Sequence, residues 1–207
     1  MKNSSISLGK DSLIYGFGSA LGKFIALISL PIFTKYISPK EYGILSLLTL
    51  ISTFIQPLLS LGLSSAMGPY YFEKNQKFAK SQTIWTTSLL TFASGAILIL
   101  IAFTQSKNIG NLINLDSKYN DLIIISLVNC ALTIFVFPFS QAAQFDRKAK
   151  YFSIVTFSTI LISLFVGVIG LTIFRIGFRS IFLGQIIGNI FNFYSFLIYI
   201  LKKYKFK

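Results

Sequence analysis

Six runs of about 20 predominantly apolar residues divide this chain, and each is long enough to cross a bilayer as a helix. They cover Ser12–Phe33, Gly43–Ala66, Gln82–Thr104, Leu122–Ala143, Ser153–Phe174 and Ser180–Leu201. Only short connections remain, the longest being Gln105–Asp121, so the 207 residues read as a single membrane domain over 1–207. Composition agrees. Hydrophobic residues make up 54% and charged residues 12%, against about a quarter charged in soluble domains. These values exclude a disordered chain and argue against a soluble enzyme. The segment Met1–Lys10 is polar and the first apolar run is too long for a signal core, so that run is expected to be a retained span. The fold class is an all-α integral membrane protein, a bundle of six transmembrane helices.

Charge sets the orientation. The formal net charge is +13, from 19 Lys+Arg against 6 Asp+Glu. Alternate connections, with both termini, hold 12 of the basic residues and the other three connections hold 6. This bias predicts that both termini are cytoplasmic, N-in and C-in, in a multi-pass protein of the cytoplasmic (inner) membrane. A nucleic-acid partner is not expected, because no polar segment is long enough to present a basic face.

The chain has no histidine and one cysteine, Cys130. It therefore lacks an imidazole base, an internal disulfide and any multi-Cys or His metal site. All six acids (Asp11, Glu41, Glu73, Asp116, Asp121, Asp146) fall at span ends or in connections. No catalytic constellation, metal or cofactor is expected, and the chain does not read as an enzyme.

The spans carry polar stripes at helical spacing. The first aligns Ser12, Gly16, Ser19 and Lys23. The second aligns Tyr42, Ser46, Thr49, Thr53, Gln56, Ser60 and Ser64. The fourth carries Ser126, Asn129, Thr133, Ser140 and Gln144, and the sixth Gln185, Asn189, Asn192 and Tyr199. Small and hydroxylated residues serve helix packing, and Gly18-x-x-x-Gly22 and Gly184-x-x-x-Gly188 fit that role. Amides at depth must find partners. Gln56, Asn129, Gln185 and Asn189 are therefore candidates for a water-filled cavity, with Ser19 and Thr53 beside them on their stripes. Lys23 lies halfway along the first span, about 15 Å from either end. A central Lys costs about 2.5–3.5 kcal/mol on insertion scales. It either faces an anion-binding cavity, docks on the carbonyls of a broken helix, or marks a displaced span. Pro31, Pro57 and Pro138 remove backbone donors and bend their helices, as hinges or as static kinks.

The stretch Pro31-Ile-Phe-Thr-Lys-Tyr-Ile-Ser-Pro-Lys-Glu-Tyr-Gly43 resembles the opening of Wzx-type polysaccharide biosynthesis proteins. These are lipid-linked oligosaccharide flippases of the multidrug/oligosaccharidyl-lipid/polysaccharide superfamily. Ser38, Pro39, Glu41, Tyr42 and Gly43 match the family's turn after the first span. Gly62-Leu63-Ser64-Ser65-Ala66 and the aromatic Tyr70-Tyr71-Phe72-Glu73 are similar to the family as well. Locally, Ser38-Pro39-Lys40-Glu41 reads as a helix start, with Ser38 as N-cap, Pro39 at the first position and Glu41 at the third. The resemblance implies the N-terminal half of a flippase. Its substrate would be an anionic, undecaprenyl-pyrophosphate-linked oligosaccharide for O-antigen, capsule or exopolysaccharide. Lys23 would face the pyrophosphate or an acidic sugar, with Ser19, Thr53, Gln56, Asn129, Gln185 and Asn189 lining the cavity. The expected partners are this lipid-linked sugar, membrane lipid, and a second bundle supplied by a C-terminal half or a second copy. The alternatives are half of a multidrug or cation exporter of the same superfamily, and a truncated, non-functional remnant.

Overall fold

The computed structural model of the chain describes residues 16, 20–25, 27–60, 62–73 and 79–204. Among them every regular element is a helix and there is no strand. Helix α1 is described over residues 20–25 and 27–36. The remaining helices are α2 (Pro39–Leu59), α3 (Leu63–Tyr71), α4 (Ala79–Leu112), α5 (Asn120–Phe145), α6 (Ala149–Thr172) and α7 (Arg179–Lys203), with a 3-10 turn at Ser117–Tyr119 before α5. Five of these stretches are long and apolar enough to cross a membrane: Pro39–Leu59, Lys80–Leu112, Ser117–Phe145, Ala149–Thr172 and Arg179–Lys203.

The start of α2 follows from its first four residues. Ser38 Oγ accepts the Glu41 N–H at 3.4 Å, and Glu41 Oε2 accepts the Ser38 N–H at 2.9 Å. Pro39 occupies the first turn, where its missing N–H costs nothing. The expected capping box is thus present. Ser38→Ala is expected to destabilise the protein by about 1 kcal/mol. Thermal unfolding in detergent checks this, and Glu41→Gln, which keeps the reciprocal acceptor, should cost less.

Two stretches differ from the sequence expectation. The run 43–66 is not one helix: α2 stops at Leu59 and α3 starts at Leu63. Pro57 takes one bond out of the helix ladder, the Ser60 hydroxyl turns back to the Pro57 carbonyl at 2.8 Å, and Gly62 adopts φ +70°. A left-handed glycine ends a helix whatever the hydropathy on either side. Conversely, the expected loop 105–121 is helical as far as Leu112, because α4 continues for 34 residues. At 1.5 Å per residue α4 is about 51 Å long, well beyond the roughly 30 Å of hydrocarbon. Asn114, at φ 52°, ends it, with the Leu115 N–H bonded to the Gly110 carbonyl at 2.9 Å.

Helix α5 stands at the centre, between α4 and α7, while α6 packs on the far side of α7. Helix α2 leans on α5, and α3 lies against α4. Helix α1 meets α6 where a Cβ on Gly22 would touch Ile160 at 2.7 Å. Two apolar cores result. One, near the start of α5, includes Leu48, Leu122, Leu127, Ile134 and Phe182. The other, near its end, includes Met67, Tyr71, Phe139, Phe196 and Ile200.

The closest packing uses small residues, since in lipid no hydrophobic force drives helices together. Gly184 and Gly188 of α7 face Ser163, Thr159 and Gly167 of α6, so the Gly184-x-x-x-Gly188 motif lies in a helix–helix seam. On α4, Thr87, Ser88, Thr91, Ser94, Ala102 and Ser106 are buried at spacings of a helical stripe. A Cβ on Gly95 would collide with the Phe135 ring of α5. Ser88, Thr91 and Ser94 donate their hydroxyls to carbonyls within α4, which satisfies them without water.

Candidate functional site

Between the two apolar cores lies a chain of hydrogen-bonded amides joining α5 to α7. Asn129 Nδ2 donates to Gln185 Oε1 at 2.8 Å, and Asn189 Nδ2 donates to Asn129 Oδ1 at 2.7 Å. Asn189 Nδ2 also reaches Thr133 Oγ1 at 3.2 Å. The Thr133 hydroxyl in turn donates to the Asn129 carbonyl at 3.0 Å. Three of the four amides picked out from the sequence are therefore partners of one another. An amide buried in an apolar bundle without partners would cost several kcal/mol, and this pairing removes most of that cost.

A cavity of about 260 Å³ opens beside the chain, between α2 and α5. Its walls are Gln56, Pro57 and Ser60 from α2 and Thr133, Ile134 and Phe137 from α5. Thr133 belongs to both features, so the cavity and the amide chain adjoin through it. Gln56, the fourth amide, is half-buried on the cavity wall. The site presents the Gln56 carboxamide and the Ser60 and Thr133 hydroxyl oxygens on an apolar floor, with both hydroxyl protons donated to main-chain carbonyls.

The other expected site residues stand apart from it. Thr53 is exposed, and its hydroxyl donates to the Thr49 carbonyl at 2.8 Å. Thr49 does the same toward Leu45 at 2.8 Å, so this part of the α2 stripe is satisfied within its own helix. Lys23 is exposed on α1, about 100° round the helix from the packed Gly22, and does not line the cavity. Ser19 lies outside the described residues.

A second polar centre was not picked out from the sequence. Asp146 caps α5, and its side chain is only 4% exposed. Tyr71 donates to its Oδ1 at 3.0 Å, Tyr199 to its Oδ2 at 2.8 Å, and Tyr204 to both oxygens at 2.8 and 3.0 Å. Lys203 Nζ pairs with Oδ2 at 2.7 Å. Burial raises the carboxyl pKa, but the Lys203 ammonium and the Tyr199, Tyr204 and Tyr71 hydroxyls outweigh it and hold Asp146 below the usual 3.8. The group stays ionised at neutral pH and ties α3, the α5–α6 turn and the end of α7 together. In the sequence this acid is one of six that fall at span ends or in connections. Its donors lie 53 to 75 positions away, and no local pattern marks them. The exposed ion pairs at the other end, Lys40–Asp116 at 3.6 Å and Lys118–Asp116 at 3.7 Å, are of a weaker kind.

A bundle of long apolar helices, with an open cavity between α2 and α5, marks a multi-pass membrane protein. A family model described as "Polysaccharide biosynthesis protein" matches residues 32–207, and the chain belongs to that family. No curated protein and no solved structure matches it.

Proposed function

We propose that this chain is one bundle, the N-terminal one, of a flippase that moves a lipid-linked oligosaccharide across the cytoplasmic membrane for surface polysaccharide assembly. The observation that carries the reading is the α2–α5 cavity, with Gln56 and Thr133 on its walls and the Asn129–Gln185–Asn189 chain behind it. A carboxamide and hydroxyl oxygens on an apolar floor suit sugar hydroxyls, and membership of a polysaccharide biosynthesis family supports that reading. The chain acts as a transporter and not as an enzyme. Both termini face the cytoplasm, following the Lys/Arg bias, which puts the Asp146 clamp on the cytoplasmic side. A second bundle, a C-terminal half or another copy, closes the translocation path over the exposed stripe of α2 and α1, and Lys23 meets the pyrophosphate there. The substrate is undecaprenyl-pyrophosphate-linked.

The test is export of lipid-linked sugar to the outer leaflet in cells that carry this chain with its partner bundle. Lys23→Ala and Gln56→Ala are each expected to lower the rate about tenfold, the equivalent of about 1.4 kcal/mol of lost interaction. Export at the normal rate in both variants, at equal protein levels, removes the reading.

A further inference from the structure

The two walls of the cavity are held very differently. On the α5 side, Ile134 is buried and Thr133 is tied into the amide chain. On the α2 side, the last buried residue is Leu48; from there to Leu59 every residue is half-buried or exposed. Within the span Pro39–Leu59 only 11% of the apolar window is buried, against 56% in Ser117–Phe145. This segment meets the bundle through the partly buried Ile55 and Leu59 and through the Ser52 carbonyl, which accepts from Cys130 Sγ at 3.8 Å, and few buried contacts mean a low free energy of local displacement. Pro57 further weakens this segment by removing a ladder bond.

Beyond the break the situation reverses. Gly62 has φ +70°, and among the described residues no atom stands within 4 Å of where its Cβ would be. Helix α3 is short, yet Met67 and Tyr71 are fully buried. The rings of Tyr71 and Phe72 lie 5.0 and 5.3 Å from that of Phe145 at the end of α5. The Tyr71 hydroxyl is bound by Asp146 and lies 2.7 Å from that of Tyr204.

We propose that the second half of α2, carrying Gln56, Pro57 and Ser60, is a moving wall of the cavity, and that α3 is its fixed anchor, pinned by Asp146. Leu48 and Ser60 bound the moving segment. Its displacement changes the gap between Gln56 and Thr133 and so opens or closes the cavity. Hinged elements of this kind turn at a few residues beside a rigid body. The proposal rests on the cavity reading above only for what the movement serves.

The test measures distances in the full chain in lipid nanodiscs, with no ligand added. Cys130 is buried and its thiol donates to the Ser52 carbonyl of α2, so Cys130→Ser, which keeps a donor there, leaves spin labels only where they are introduced. Leu58→Cys and Tyr70→Cys, both at exposed positions, are each paired with Ile154→Cys, which is exposed on α6. Double electron–electron resonance should give a Leu58–Ile154 distribution about twice as wide as the Tyr70–Ile154 distribution. Adding Asp146→Asn should widen the Tyr70 pair toward the width of the Leu58 pair. Equal widths for the two pairs with Asp146 intact overturn the proposal, and they decide it even where the Asp146 variant does not fold. A wide α2 distribution with normal export in Lys23→Ala and Gln56→Ala would remove the transport reading and keep the moving wall. Narrow distributions with impaired export would do the reverse.

Discussion

Replacing Asp146 by alanine is expected to destabilise the protein by about 1–3 kcal/mol, the range for leaving a buried hydrogen-bonding group without its partner. Three tyrosyl hydroxyls and one ammonium converge on this carboxylate. Lys203 can turn to solvent, since its side chain is 41% exposed. Tyr71 cannot, being fully buried, and only Tyr204 remains to bond it. Asp146→Asn keeps the shape and an acceptor but loses the ion pair, so it should cost less. Thermal unfolding in detergent measures both. The sign of the pH dependence follows from the lowered pKa. A carboxyl held below 3.8 in the folded state contributes its stability above the unfolded value and loses it as the pH falls through the folded one. The gap in melting temperature between the native chain and Asp146→Asn should therefore be constant from pH 7 down to about 5 and shrink below about 4. A gap that already closes near neutral pH would contradict the ionised clamp.

The second large effect is expected at Gly184. A Cβ there would collide with the Ser163 carbonyl oxygen and lie 2.8 Å from the Gly167 nitrogen. Both are backbone atoms of α6 and cannot rotate aside, so α6 and α7 must separate. Gly184→Ala should cost about 1–3 kcal/mol, and Gly184→Leu more, by overpacking. Gly43→Ala is the matched control. That glycine lies inside α2 with nothing within 4 Å of a Cβ, and alanine is the better helix former by up to about 1 kcal/mol. Resistance to unfolding by added sodium dodecyl sulfate should thus fall for Gly184→Ala and hold or rise for Gly43→Ala. Equal behaviour of the two variants would mean that the α6–α7 seam is not as close as described.

Much of this architecture was legible in the chain itself. Apolar runs of bilayer length identify spans because hydrocarbon leaves the backbone no partner except its own helix. Ser38, Pro39 and Glu41 announce the start of α2, since a capping box needs only residues within one turn. The α4 stripe of Thr87, Ser88, Thr91 and Ser94 was equally legible in its spacing. Hydropathy could not show the break at Gly62, because a left-handed residue changes the path of the chain without changing its polarity. Nor could it end α4, whose polar last turns are as compatible with a helix as with a loop.

The site divides in the same way. Local spacing marks Gln56, Asn129, Gln185 and Asn189 as polar groups at depth that need partners. Whether they face water or one another depends on how α5 and α7 are rotated and set against each other, and that is decided by close contacts elsewhere, such as Gly184 and Gly188 against α6. Asp146 is the extreme case. Its burial and its four partners exist only once α3, the α5–α6 turn and α7 have met. That this chain forms membrane helices, and where most of them lie, follows from hydropathy and from bonds within a few residues, and both can be read along the chain. Which polar groups are consumed in holding the bundle and which still line a cavity depends on distances between residues far apart in the chain, and so emerges with the packed helices.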